Sequence, residues 1–176
     1  MQVLSRQRGI SLIEVMMAVL IFSIGLIGLA SLMVMATRSN HAAYLRTQVV
    51  FLANSMAGRM SANPVGVWKG DYNSTAYPVS ASSSSCGSGS ACDADALATY
   101  DQSAWSSQLK TFLPNPVATI NCGGVGTAGY DPTSQLALRP PYGGTCKMTI
   151  KWSEQGAGDK NNRGVSTPQF AWEFQP

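Results

Sequence analysis

Charge is what this sequence has least of. Its 12 basic and 9 acidic side chains make up only 12% of 176 residues, against about 25% in an average soluble domain. Part of the chain is therefore built to face something other than water. With 45% hydrophobic residues, disorder along the whole length is excluded. The net charge is +3 and no basic run exceeds two residues, so the electrostatic footprint of a nucleic-acid binder is missing. There is one histidine, His41, which excludes a histidine-cluster metal site and removes the usual group for acid/base work. No nucleophile, base and orienting acid can be assembled around it, so no enzyme is expected.

The charge is absent mainly from one place. Residues 15–36 read VMMAVLIFSIGLIGLASLMVMA, without one ionisable side chain. As a helix rising about 1.5 Å per residue this stretch spans roughly 33 Å, enough to cross a bilayer. Arg6 and Arg8 precede it, and Arg38 and Arg46 follow it. That bias points to a cytoplasmic N-terminus and an exported C-terminal portion. No A-x-A-like cleavage site closes the apolar run, as an ordinary secretory signal would require. The odd member is Glu14, at the end of Gly9-Ile10-Ser11-Leu12-Ile13-Glu14. A carboxylate at the bilayer centre costs about 2.5–3.5 kcal/mol, less near the interface, so Glu14 needs a partner. A cut between Gly9 and Ile10 would leave a terminal ammonium one helical turn away, at the helix end whose dipole already favours the carboxylate. In a staggered bundle of such helices, the carboxylate of one chain can neutralise the amine of the next.

The run Gly9-Ile10-Ser11-Leu12-Ile13-Glu14 ahead of a long apolar stretch resembles the class III signal of type IV pilins and pseudopilins. The resemblance implies that prepilin peptidase cuts after Gly9, that the new amine of Ile10 is methylated, and that Glu14 guides assembly. It implies an α+β fold: a long first helix packed on a small antiparallel sheet. Residues 1–9 are then a leader, 10–36 the membrane and filament-core half of the helix, 37–63 its amphipathic half, and 64–176 an exported head. The implied location is the bacterial inner membrane, with the head periplasmic, and then the pilus. Implied partners are the peptidase, other minor pilins and the major pilin through the first helix, and the inner-membrane assembly platform, with no cofactor and no nucleic acid. Position 10 is Ile where Phe is commonest, and the span lacks the helix-bending proline of many major pilins, which implies a straighter helix. Gly25 and Gly28 permit close helix contact or mark a turn that can loosen.

Past the span, Leu45, Val49, Leu52, Met56 and Met60 recur at spacings of four and three, which continues the helix to Ala62 with one apolar stripe. Asn63-Pro64 stops it. Residues 65–92, rich in Gly, Ser, Tyr and Asn, read as a surface loop. Asp93 caps a second helix carrying Leu97, Asp101, Trp105, Leu109 and Phe112 on or near one face, ended by Leu113-Pro114. This helix resembles the one preceding the sheet in PilV-type minor pilins. Residues 117–122 read as a strand, 135–138 as a short edge, and 145–152 as a strand with Cys146, Met148, Ile150 and Trp152 on one face. Residues 169–175 repeat the pattern with Phe170, Trp172 and Phe174 inward, pairing with 145–152 across a long polar loop, 153–168.

Four cysteines, Cys86, Cys92, Cys122 and Cys146, all lie in the exported portion and imply two disulfides. Three connectivities are open. The preferred one closes the Ser/Gly loop with Cys86 and Cys92 and joins two strands with Cys122 and Cys146. A zinc site lacks both a C-x-x-C pair and a nearby histidine. The G-x-G-x-x-G from Gly124 to Gly129 is not a nucleotide site, because Tyr130-Asp131-Pro132 blocks the helix it would have to open. Asn73-Ser74-Thr75 matches a glycosylation pattern too short to carry weight.

Three functions of different classes remain: a minor pilin of a type IV pilus, a minor pseudopilin of a type II secretion system, and a binding module, either a pilus-borne adhesin or DNA-contacting subunit or, more remotely, an anchored periplasmic enzyme. Loss of Arg6 and Arg8 with the leader leaves 10 basic against 9 acidic side chains, which gives no support to DNA binding. The long Ser/Gly loop and two disulfides favour the first.

Overall fold

The computed structural model describes residues 9–80, 86, 91–123, 132–155 and 164–176 of the chain. Its first element, α1, spans Leu12–Ala62 as 51 unbroken residues, roughly 76 Å long. The two halves of α1 have different surroundings. Residues 9–37 are exposed on every side, and this part is long and apolar enough to cross a membrane. Further along, Leu45, Val49, Leu52, Ala53, Met56 and Met60 are buried. Their spacing of three and four residues is the stripe of a helix packed on one side only.

Asn63 ends α1 and starts α2, Pro64–Lys69. Its own N–H bonds to the Met60 carbonyl at 3.1 Å, while its side-chain oxygen accepts the Gly66 N–H at 3.2 Å. Pro64 fits the first turn because its missing donor would have had no partner there. Gly70 closes α2 in the left-handed conformation, at φ +79°, which favours glycine. Then follow β1 (Ser74–Tyr77), α3 (Ala94–Phe112), β2 (Val117–Gly123), a 3₁₀ turn (Thr133–Leu138), β3 (Thr145–Lys151), β4 (Glu154–Gln155), β5 (Val165–Ser166) and β6 (Gln169–Phe174). One antiparallel sheet has the order β1-β2-β3-β6, and β4 and β5 form a separate two-stranded pair. The architecture is α+β and type IV pilin-like.

The sheet turns one face inward. Ala118 and Ile120 of β2, Cys146, Met148 and Ile150 of β3 and Phe174 of β6 join the α1 stripe and Trp105 and Leu109 of α3 in a single core. Trp105 is central: its indole N–H donates to the Leu52 carbonyl at 2.9 Å, and its ring meets Tyr77 edge-on at 5.1 Å. β3 keeps its expected alternation, and its Met148 and Ile150 pair with Trp172 and Phe170 of β6.

Three local expectations are corrected. Residues 65–92 are not one surface loop, because α2 and β1 fall within them and Tyr72 and Tyr77 are fully buried. Residues 135–138 are helical rather than a strand edge: Gln135 N–H bonds to the Pro132 carbonyl and Arg139 N–H to Leu136. Those local bonds leave the backbone no need of a sheet partner, and Leu138 is exposed. Phe112 is exposed, since the buried face of α3 is formed by Ala98, Asp101, Trp105, Ser106 and Leu109. Phe170 and Trp172 face inward as expected and pack against the core, half-buried because β6 is an edge strand with a neighbour on one side among the described residues. The loop 153–168 contains β4 and β5. Its residues 156–163, the run 81–85 and 87–90, and the glycine motif 124–129 lie outside the described residues.

Candidate functional site

The N-terminal tip of α1 holds the sequence-predicted cluster. Gly9, Ile10 and Ser11 precede the helix in non-helical, exposed chain. Ser11 is extended, and its carbonyl accepts the N–H of Glu14 at 3.0 Å and of Val15 at 3.4 Å. Its hydroxyl makes no cap, so the first-turn donors face outward and the terminus is positive. Glu14 is the acid in that first turn. It is exposed, and among the described residues no cation pairs with it. Among the described residues, only the helix end compensates its charge. The 9–10 peptide bond stands clear of the helix, and among the described residues a Cβ built on Gly9 meets nothing within 4 Å. Arg6 and Arg8 lie outside the described residues.

The apolar half of α1 satisfies its own polar groups. The hydroxyls of Ser23, Ser31 and Thr37 donate to the carbonyls of Leu20, Gly28 and Val34, three residues back. Hydroxyls bonded in this way suit an apolar surrounding. A Cβ built on Gly25 or Gly28 meets nothing within 4 Å. Their small size therefore serves no packing inside this chain and leaves room for another helix.

The head is fastened to the far end of α1 by a polar network that the sequence reading missed. Arg59 Nη1 donates to Asp101 Oδ1 at 2.7 Å, and the Tyr72 hydroxyl donates to Asp101 Oδ2 at 2.9 Å. Asn63 Nδ2 donates to the Tyr72 hydroxyl and to the Ala94 carbonyl at 3.1 and 2.8 Å. Four residues thereby tie α1, α2 and α3 together. Burial, foremost, pushes the Tyr72 hydroxyl far above the usual phenol range, with the Asp101 charge adding to it. Burial alone does the same to Tyr77. The signal was available: Asp101 shares a helical face with Trp105 and Leu109, and an acid on a buried face must have a partner.

The structure joins Cys86 to Cys92 and Cys122 to Cys146, the preferred connectivity. Cys122 and Cys146 are direct register partners on β2 and β3. Zinc ligation by these thiols is thereby set aside. Asn73 spends its side-chain oxygen on the Cys122 N–H at 2.7 Å, so it acts as a strand-start bracket. His41 sits far from the tip, in a groove beside the base of the head.

Residues 4–30 match the prokaryotic N-terminal methylation motif. This match supports a type IV pilin-like or pseudopilin protein, and the motif points to a structural subunit rather than an enzyme. No curated protein and no solved structure showed significant similarity to the chain.

Proposed function

We propose that this chain, with a methylation motif joined to a pilin-like α+β head, is a minor pilin of a type IV pilus. In this reading prepilin peptidase cuts between Gly9 and Ile10, the Ile10 amine is methylated, and α1 anchors the subunit in the inner membrane until it enters the filament. The head is then periplasmic, and the other pilins and the assembly platform meet the chain through α1. The observation that carries the reading is Glu14, exposed at the tip of an apolar helix with no cation beside it among the described residues. A carboxylate in that position is tolerable when a neighbouring subunit supplies an amine.

Glu14→Ala tests it. The variant should insert and be cleaved like wild type, because removing the charge lowers the cost of insertion, yet be poorly incorporated into filaments. Mass spectrometry should find the mature chain starting at a methylated Ile10. Normal incorporation of the variant would remove the assembly role of Glu14, and an uncleaved exported chain would remove the filament reading altogether. A minor pseudopilin of a type II secretion system shares every feature at the tip. Deletion separates the two: loss of pili with normal enzyme secretion supports the pilus, and the converse supports secretion.

A further inference from the structure

One pole of the head gathers basic and apolar side chains that the core does not use. There α3 ends at Phe112, β2 begins at Val117, β3 ends at Lys151 and β5 carries Val165. Val117 is the register partner of Lys151, and the Ser153 N–H donates to the Pro114 carbonyl at 2.9 Å. Phe112, Val117 and Val165 are 39%, 51% and 64% exposed, and Lys110 and Lys151 are exposed beside them. α1 passes the same pole. Its Arg38 and His41 share a groove of about 440 Å³ with Asn115, Ser153, Glu154 and Val165. Glu154 is largely buried and accepts the Trp152 indole N–H at 3.3 Å, so among the described residues the exposed charge at this pole is basic. The opposite pole, where α1 ends and α3 begins, carries Asp71, Asp93 and Asp95 against Lys69 and Arg139.

Helix length sets the level of this pole. From Glu14 to His41, α1 rises roughly 40 Å, which matches a bilayer with both headgroup layers. With Glu14 at one interface, His41 and the groove stand among the headgroups of the other.

We propose that this pole is a docking face for the membrane that α1 crosses. Phe112, Val117 and Val165 enter the interface, while Lys110 and Lys151 engage anionic phospholipid headgroups. Basic charge beside exposed apolar side chains, continuous with a membrane-length helix, is the composition of an interfacial anchor. The inference rests on α1 being a span. Its consequence is that the head leaves the membrane only by breaking these contacts.

The test uses the full chain in phospholipid nanodiscs. All four native cysteines are in disulfides, so Val117→Cys, Val165→Cys, Leu138→Cys and Phe22→Cys each offer one thiol for a fluorophore. Fluorophores at 117 and 165 should be quenched by headgroup spin-labelled lipid when phosphatidylglycerol is present, and the one at 138 should not. Each basic side chain at an anionic surface favours docking about fivefold, so Lys110→Gln with Lys151→Gln should lower the docked ratio about 25-fold. A fluorophore at 22 should be quenched by lipid spin-labelled deep in its acyl chain. If 22 is quenched but 117 and 165 behave like 138, the docking face is overturned and the span stands. Quenching at 117 and 165 that ignores phosphatidylglycerol and both lysines overturns the assignment to anionic headgroups. Failure at 22 overturns the span and the docking face together.

Discussion

Asp101 is the position where one substitution should do most to loosen the head from its helix. It is buried, with Arg59 at 2.7 Å on one oxygen and the Tyr72 hydroxyl at 2.9 Å on the other. Asp101→Ala leaves a guanidinium and a buried phenol without their acceptor. Removing one partner of a fully buried pair costs about 3–5 kcal/mol. The Arg59 side chain retains 27% exposure, so water recovers part of that loss, and about 2–3 kcal/mol is expected. Tyr72→Phe removes only a hydrogen bond to a charged group and should cost about 1.5 kcal/mol. Asp101→Leu combined with Arg59→Met should cost less than Asp101→Ala alone, because no charge is then stranded. Chemical unfolding of the full chain in detergent, followed by near-UV circular dichroism, measures all three, since Trp105 lies one turn from Asp101 on α3. A loss under about 0.5 kcal/mol for Asp101→Ala, the range of an ordinary surface change, would refute the view that this network fastens head to helix.

The two disulfides should differ in weight. Opening the 24-residue separation of Cys122 and Cys146 by double Ser substitution should cost about 3 kcal/mol, and opening the six-residue Cys86–Cys92 loop about 2 kcal/mol; equal losses in denaturant unfolding would contradict the loop-closure account. Trp105→Phe should cost about 1–3 kcal/mol, because the buried indole donor to Leu52 is lost and a smaller ring fills its place, and a neutral result would show that site to be loosely packed. The Asp71 carboxyl is pushed above its ordinary 3.8, first by burial and then by the Asp95 charge, and one of its oxygens is buried without a partner. A raised acid pKa means that the folded state holds the proton more tightly, so the cost of Asp71 grows as pH rises through 3.8 and the folded value. Asp71→Asn should therefore be the more stable protein at neutral pH and lose that advantage below pH 3.8 in a pH series of melts.

Features whose physics is local could be read from the sequence alone. The apolar span, the lone Glu14 at its head and the Gly9-Ile10 junction are contiguous, and no folding is needed to bring them together. The stripe from Leu45 to Met60 announced a helix with one covered face, the alternation of residues 145–152 announced β3, and Asp93 and Leu113 marked the ends of α3. Local chemistry also explains where that reading went astray: Leu136 and Leu138 resembled a strand until short-range bonds from Pro132 to Arg139 wound them into a 3₁₀ turn. Tertiary structure decided everything that joins distant segments. Asn73 bracketing Cys122, Asp101 holding Arg59 and Tyr72, and β1 completing the sheet bring together residues 29 to 49 positions apart. A polar side chain shows no partner in its own neighbourhood of sequence, and burial supplies the need for one only after the chain has closed around it.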